Sequence, residues 1–440
     1  MAEARRRCRC IEMLLATAAL AAVLTLPQGC GVPEDDGRVS VILVVVDALR
    51  ADHLGCYGYP LDTSPSLDSL ARAGMRWTRV QAQSSWTLPG VSSIMTGLDA
   101  RTHGAGRHGS DILAFDASTP TIATLLHSDG YECAAFMNVY LLSADFGFHR
   151  GYDRFRCHDL GNGLAGATVD SCIAWLENRD GSSPMLLTMH LFDAHDPYDP
   201  PPPYDTIFAR GPDYGLTDWV FESHESPFSP EELRDILSWK YDGEIRWVDT
   251  ELGRLFRWLR ESDYYGNTVI VVTADHGEEF MEHGGFGHGK TMFQEVLSIP
   301  LIITGPGIGS GISDRLACQM DILPTVLALA GVPPPDGLPG RDLFSPSGED
   351  RCIPSSNVNS GLVPVVASVR RGDDKVIWDA TSDMAVSFDL AADPGEREPL
   401  RPDSSLVRAV LYYWATPPTG LPLPVDRGRI DRALRDLGYI

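Results

Sequence analysis

V-I-V-V-T-A-D-H-G-E-E-F-M-E-H-G-G-F-G-H-G-K, Val269 to Lys290, is the stretch whose reading decides the fold. Its first half is a β-branched apolar run, which reads as a strand buried on both faces of a parallel sheet. The run stops at Asp275-His276-Gly277-Glu278. Ligands of open α/β sheets bind outside the carboxyl ends of the strands, so a carboxylate and an imidazole there are placed to hold a metal. Gly277 would let the backbone turn away at once. His283, His288 and Lys290 come next, in a Gly-rich loop where no core is being built. The competing reading is a strand end dressed with solvated polar residues, and the rest of the chain must decide between them.

Two more runs repeat the pattern. Val39 to Val46 is apolar and ends at Asp47. Pro184 to Phe192 runs into Asp193-Ala194-His195-Asp196-Pro197-Tyr198. Shorter runs at Cys133 to Asn138 and Pro300 to Thr304 predict further strands. Helices are predicted between them, over Ser64–Met75 with Ser64 as cap and Pro65 at the first position, Thr119–Tyr131, Val169–Asn178, Tyr241–Glu261 and Asp321–Ala330 with Asp321 as cap. The apolar stripe of Tyr241–Glu261, with Ile245, Val248, Leu252, Leu255, Phe256 and Leu259, predicts a core-facing helix. Alternation of this kind specifies an α/β fold with a mostly parallel central sheet between helices. Residues 199–235, rich in Pro and aromatics, read as a long irregular lid or binding loop. In S-S-W-T-L-P-G-V-S-S-I-M-T-G, Ser84 to Gly97, Thr87 precedes a helix start. It is either an ordinary N-cap or a hydroxyl in a place that favours anions and a developing alkoxide.

Gly and Pro crowd residues 331–350, and residues 364–390 alternate in short runs with Gly-Asp turns, which suits a small antiparallel sheet followed by a helix near Ser405 to Trp414. The expected division is residues 1–30 a signal segment, 31–38 a linker, 39–350 a catalytic domain and 351–440 a C-terminal subdomain. The signal segment carries Arg5, Arg6, Arg7 and Arg9 before an apolar stretch from Met13 to Leu26. It ends at Gly29-Cys30, and lipidation of Cys30 with membrane attachment through the N-terminus stands beside a plain secretory signal. Either way the expectation is export to the periplasm or cell surface. A formal net charge of −24 over 440 residues argues against a nucleic-acid partner. It leaves room for a small anionic ester, because a bound cation reverses the field locally. The nine cysteines show no Cys-x-x-Cys spacing, which argues against a structural zinc site.

Taken together, the chain resembles the sulfatase branch of the alkaline-phosphatase-like superfamily over nearly its whole mature length. Val44–Tyr59, Thr87–Gly97, Phe192–Pro197, Asn267–Glu278, Gly289–Gly305, Asp321–Gly331 and the C-terminal Ser368–Trp378 and Phe388–Leu400 carry the likeness, in order. The resemblance implies an alkaline-phosphatase-like sheet with a small C-terminal antiparallel subdomain. It implies that Asp47, Asp275 and His276 are metal ligands, Thr87 the nucleophile, His195 a catalytic histidine and Lys290 a contact to the transferred group. Departures accompany the matches. Sulfatases carry Cys or Ser at the nucleophile position, oxidised to formylglycine, in a motif that ends in Pro-x-Arg. Here Thr87-Leu88-Pro89-Gly90-Val91 stands instead. Ala48 replaces a second aspartate, Asn138 and Tyr140 stand where a Lys and a His are expected, and His276 stands for an Asn. Phosphoethanolamine and glycerol-phosphate transferases of the superfamily share the Thr nucleophile and the Asp-His pair. In the former a further histidine has the spacing of His288, which adds His288 to the site; His283 has the weaker claim.

The expected mechanism is attack on phosphorus or sulfur by a metal-bound Thr87, giving a threonyl ester, with His195 or His288 protonating the leaving oxygen. Asp47, Thr87, Asp275 and His276 suit one divalent cation, Zn²⁺ or Mn²⁺, with Ca²⁺ as the alternative. The substrate is an anionic phosphate or sulfate ester, including glycan or lipid esters. Two other functions compete: a transferase moving a phosphoryl-linked head group onto a glycan or lipid, and an inactive surface-anchored binding protein.

Overall fold

A computed structural model describes residues 37–108, 111–158, 164–210, 228–346, 351–357 and 365–415. The expected signal segment, Cys30 and most of the linker lie outside the described residues, as do 211–227 within the expected lid.

Eight strands make the main sheet: β1 Ser40–Val46, β2 Met75–Trp77, β3 Glu132–Met137, β4 Arg154–Cys157, β5 Met185–Leu191, β6 Thr268–Ala274, β7 Leu301–Thr304 and β8 Gly311–Ser313. Their order across the sheet is β8-β2-β7-β6-β1-β5-β3-β4. The pairing is parallel except where β7 meets its two neighbours, β6 and β2, both antiparallel to it. Every residue of β1, β5 and β6 is buried. That is why these three read as continuous apolar runs and not as alternating ones.

Helices cover both faces. On one, α1 Pro65–Ala73, α4 Ala165–Asn178 and α5 Pro230–Glu261 pack together. On the other lie α2 Thr87–Thr96, α3 Ile122–Ser128 and α6 Ile322–Ala330. A second sheet of β9 Ile353–Ser356, β10 Val366–Arg371, β11 Asp374–Asp379 and β12 Met384–Asp389 is wholly antiparallel. Helix α7, Ser404–Ala415, lies against β10 and β11, burying Leu406 and Val410 among Val369, Val376 and Trp378.

Several expectations need correction. Residues 199–235 are not irregular to their end: α5 begins at Pro230, where Ser229 and Glu232 form a capping box with Pro at the first position. Helix α3 is shorter than Thr119–Tyr131 because Thr121 and Thr124 cap it later. Helix α4 begins at Ala165, four residues earlier than the periodicity indicates; its Ala165 N–H donates to the Asp193 carboxylate at 3.1 Å. Ser64 makes no side-chain cap bond to α1. Its hydroxyl accepts from the Gly55 N–H instead, and Asp249 of α5 takes the N–H groups of Ser66 (3.0 Å) and Leu67 (2.8 Å). Asp321 likewise makes no cap bond to α6; it accepts from the Cys318 and Arg341 N–H groups and pairs with Arg351.

Candidate active site

The register of β1 with its neighbours brings three chain segments to one edge. Val46 lies opposite Leu191 on one side and Ala274 on the other, so Asp47 and Asp275 leave adjacent strands at one level. The Asp47 N–H donates to Leu191 O at 2.8 Å, carrying the pairing one residue past the strand. Ala48 then turns the chain with φ of 52°, a left-handed conformation unusual for a residue with a side chain. Its N–H donates to Asp275 Oδ1 at 3.1 Å, and its carbonyl accepts from the Tyr241 hydroxyl at 2.7 Å. Gln319 holds the other strand end, donating to Ala274 O (3.0 Å) and Asp275 O (2.7 Å).

Thr87 is the first residue of α2, and Trp86 occupies the cap position. Thr87 therefore does not act as the N-cap. Its hydroxyl donates instead to Asp47 Oδ2 at 3.3 Å and lies 3.4 Å from His276 Nε2. Gly90 is what allows the approach: a Cβ there would stand 2.6 Å from Asp275 O. Gly277 serves the same purpose. Its φ is not in the left-handed region; a Cβ would come 2.1 Å from Glu295 O. Close packing, and not a special turn, is the reason for glycine there.

Asp47, Asp275 and His276 are fully buried. One donor atom from each lies within 4.8 Å of the others. His276 Nδ1 is 2.8 Å from Gly277 O, which makes Nδ1 the protonated nitrogen and turns the Nε2 lone pair into the cluster. Nε2 is 3.3 Å from Asp47 Oδ1 and 3.6 Å from Asp275 Oδ2, and neither of those oxygens has a hydrogen-bond partner among the described residues. Two buried carboxylate oxygens without donors and one imidazole lone pair are a donor set that fits a divalent cation. The two carboxylates make the cluster a place that draws positive charge. Burial raises the Asp47 carboxyl, but the neighbouring His190 and His276 rings outweigh it and hold the group well below its ordinary value. Burial and the charge of Asp47 push Asp275 up to about 6. Burial lowers His276, yet Asp275 and Asp47 raise it to about 10.

A second group, His195, Asp196 and His288, adjoins the first. The His288 ring centroid is 4.2 Å from that of His276 and 4.6 Å from that of His195. His195 Nδ1 is 2.6 Å from Asp196 O, and its ring stacks on Phe192. His288 Nδ1 is 2.9 Å from Glu278 Oε1, while the Tyr198 hydroxyl donates to Glu278 Oε2 at 2.9 Å. Burial lowers His195, but Asp196, Asp47 and Glu278 together raise it above its ordinary value. Burial and the neighbouring His276 and His195 hold His288 well below.

The structure thus brings together Asp47, Thr87, Asp275 and His276, with His195 and His288 beside them. Lys290 is not among them: its side chain is exposed and its Nζ lies 3.4 Å from Phe286 O. The residue before it is tied to the segment that precedes Thr87, the Gly289 N–H donating to Ser85 O at 2.7 Å. His283 points elsewhere, stacked on Phe293 between Glu295 and Glu396 O. Asn138 is fully buried and bonded to Thr168, and the Tyr140 hydroxyl donates to Asp145. Sequence reasoning missed His190, Asp196 and Glu278. His190 carried a signal, a lone polar ring inside an apolar strand; Asp196 and Glu278 carried none beyond adjacency to a candidate.

Comparison with known proteins places this geometry. An N-acetylglucosamine-6-O-sulfatase of Bacteroides thetaiotaomicron is 26% identical over 399 residues, covering 70% of this chain and 71% of the relative. A protein solved with its substrate D-glucosamine-2-N,6-O-disulfate superposes with a TM-score of 0.71 at 20% identity, covering 91% of this chain and 98% of that one. The phosphonate monoester hydrolase of Agrobacterium radiobacter superposes at 0.68 and 20% identity, over 86% and 94%. Residues 40–332, well over half of the sequence, match the family described as Sulfatase, and they contain both clusters: the chain belongs to the sulfatase family.

Proposed function

We propose that the protein is a metal-dependent hydrolase of phosphate and sulfate esters in which Thr87 is the nucleophile. The observation that carries this reading is the Thr87 hydroxyl, buried between Asp47 and His276 and not used as a cap. Asp47, Asp275 and His276 would hold the cation with Thr87 beside it. A divalent cation there supplies Lewis acidity, lowering the pKa of a neighbouring hydroxyl and neutralising charge on the ester oxygens. Zn²⁺ and Mn²⁺ suit the donors, with Ca²⁺ as the alternative.

Thr87 Oγ1 forms a bond to phosphorus or sulfur while the bond to the leaving oxygen breaks. Asp47 Oδ2, 3.3 Å away, is the near acceptor for the hydroxyl proton. His195 delivers a proton to the leaving oxygen: its Nδ1 is held by Asp196 O, and its surroundings favour the protonated ring. Water then attacks the threonyl ester, releasing the oxyanion and restoring Thr87. His288, oriented by Glu278, flanks His195 and His276.

A threonine cannot become formylglycine, so the sulfated enzyme has no aldehyde route by which to resolve. We therefore propose faster turnover of phosphate esters than of sulfate esters. The phosphonate monoester hydrolase likeness is consistent with this, and the sulfatase relatives keep glycan esters foremost among substrates. We also propose export directed by residues 1–30, with Cys30 as the point of lipid attachment.

The test is a screen of the purified protein with added cation against aryl sulfate, phosphate monoester and phosphate diester, with Thr87→Ala and Thr87→Ser beside the wild type. Thr87→Ala should fold and lose turnover, Thr87→Ser should keep part of it, and a rapid quench should leave the adduct on the Thr87 peptide. Wild-type activity in Thr87→Ala overturns the nucleophile, and preference for aryl sulfate overturns the substrate order. Product appearing on an added acceptor alcohol in place of water would favour the transferase reading.

A further inference from the structure

His190 is a buried polar residue beside the cation site that the proposed reaction does not use. It is the sixth residue of β5, 1% exposed, in a strand otherwise built of M-L-L-T-M and Leu191. Its partner across the sheet is Val45 of β1. Side chains alternate along a strand and paired residues share a face, so His190 stands on the same face as Asp47, one step beneath it. Its Nε2 lies 3.4 Å from Asp47 Oδ2, and neither ring nitrogen forms a hydrogen bond to another described residue. A buried imidazole with no satisfied nitrogen costs stability, and the approach to Asp47 Oδ2 is the contact that can offset that cost.

We propose that His190 is a positioning residue for the cation site: it donates Nε2–H to Asp47 Oδ2 and fixes the rotation of that carboxylate. This rests on the metal-dependent reading of the protein. The two oxygens of Asp47 then have separate roles. Oδ2 faces His190 and the Thr87 hydroxyl. Oδ1, buried and without a hydrogen-bond donor among the described residues, faces His276 Nε2 and remains for the cation. Ligating carboxylates are held by hydrogen bonds from behind, and losing such a partner typically weakens metal affinity about 10- to 100-fold. His190 is not itself a ligand: the tight group of donor atoms comprises Asp47, Asp275 and His276 without it. Asp275 has its own support in the Ala48 N–H, and His276 in Gly277 O. His190 completes the set, so that every ligand is oriented by a group outside the cluster.

The test uses the full chain, stripped by chelator and titrated with Zn²⁺, Mn²⁺ and Ca²⁺ separately, with thermal melting of the metal-free protein alongside. His190→Leu should weaken the tightest-bound cation about 10- to 100-fold while the metal-free protein stays folded, because an apolar side chain fills the place of the ring in an apolar strand. His190→Gln, whose amide donates from nearly the position of Nε2, should keep affinity within about threefold of wild type. Unchanged affinity in His190→Leu overturns the proposal. So does equal weakening in both variants, which would make His190 a direct ligand, and so does a fall in metal-free melting temperature without a change in affinity, which would make it a packing residue. Failure of the wild type to bind any of the three cations overturns the metal-dependent reading and this inference with it, whereas Asp275→Asn weakening with His190→Leu unaffected overturns this inference alone.

Discussion

Asp47 and Asp275 are equally buried, yet their carboxyls are driven in opposite directions, one well below its ordinary value and the other up to about 6. Burial acts on both; the difference is that the His190 and His276 rings lie against Asp47, while Asp275 feels Asp47's charge. His195 and His288 are separated in the same way. Asp196, Asp47 and Glu278 raise His195 despite burial, and burial with two neighbouring histidines depresses His288. Environment thus separates the two rings, in keeping with the proposed delivery of the leaving-group proton by His195. His195→Ala should lower kcat/KM about 10²- to 10⁴-fold for alkyl phosphate esters, the usual worth of general acid catalysis, and far less for 4-nitrophenyl phosphate, whose leaving oxygen needs no proton. A uniform loss across leaving groups would remove the acid role. At this scale the sequence was informative only where chemistry stood at a strand end: Asp47, Asp275 and His276 are brought together from such positions. His190 stood out as a polar ring in an apolar strand, but its approach to Asp47 was not legible, because the order of residues gives neighbours along the chain and not those across a sheet. The resemblance assigns Lys290 a contact with the transferred group, but its side chain is placed by a local contact with Phe286 that no spacing encodes.

The elements were legible in proportion to how fully they are buried. The runs ending at Val46, Phe192 and Ala274 contain strands buried at every residue, and burial on both faces leaves no polar alternation to confuse the reading. Helix ends were read less well, because the caps come from far along the chain. Asp249 of α5 caps α1 where Ser64 was expected, and Asp193 after β5 takes the first N–H of α4. The decisive element contact is α2 against the end of β6, where Gly90 lies on Asp275 O and lets Thr87 reach Asp47. A methyl group at 2.6 Å from a carbonyl oxygen must move backbone, and overpacking of that kind costs about 1 to 3 kcal/mol. Gly90→Ala is therefore expected to lower stability by that amount in a denaturant titration and to cut turnover much more steeply, since the hydroxyl is carried away from the cluster. Wild-type turnover with reduced stability would mean that α2 can shift without moving Thr87.

Over the whole molecule, the small antiparallel sheet is joined to the loop that carries His288 by buried charge. Lys375 of β11 is wholly enclosed, with Nζ 2.7 Å from Glu396 Oε1 and no ordinary hydrogen bond to any other described group. Glu396, at φ 53°, also accepts from the Gln294 N–H at 2.6 Å and, through its carbonyl, lies 3.0 Å from His283 Nε2. Arg397 donates to Glu282 O. The segment after β12 therefore grips both ends of the loop that carries His288. Runs with Gly-Asp turns were enough to indicate this sheet from sequence. Its attachment was not legible, because a lysine in an alternating strand reads as an outward-facing charge. Removing one partner of a buried pair costs about 3 to 5 kcal/mol, mostly from the charge left behind, whereas removing both charges costs far less. Lys375→Met should thus lower the unfolding free energy by several kcal/mol, and Lys375→Met combined with Glu396→Gln should recover at least half of that loss. Turnover should move in the same order, because Glu396 is one of the groups that hold the segment from Gln294 back to His288. Equal loss in the single and double variants would show that Lys375 and Glu396 contribute independently, and would leave the loop anchored by His283 and Arg397 instead.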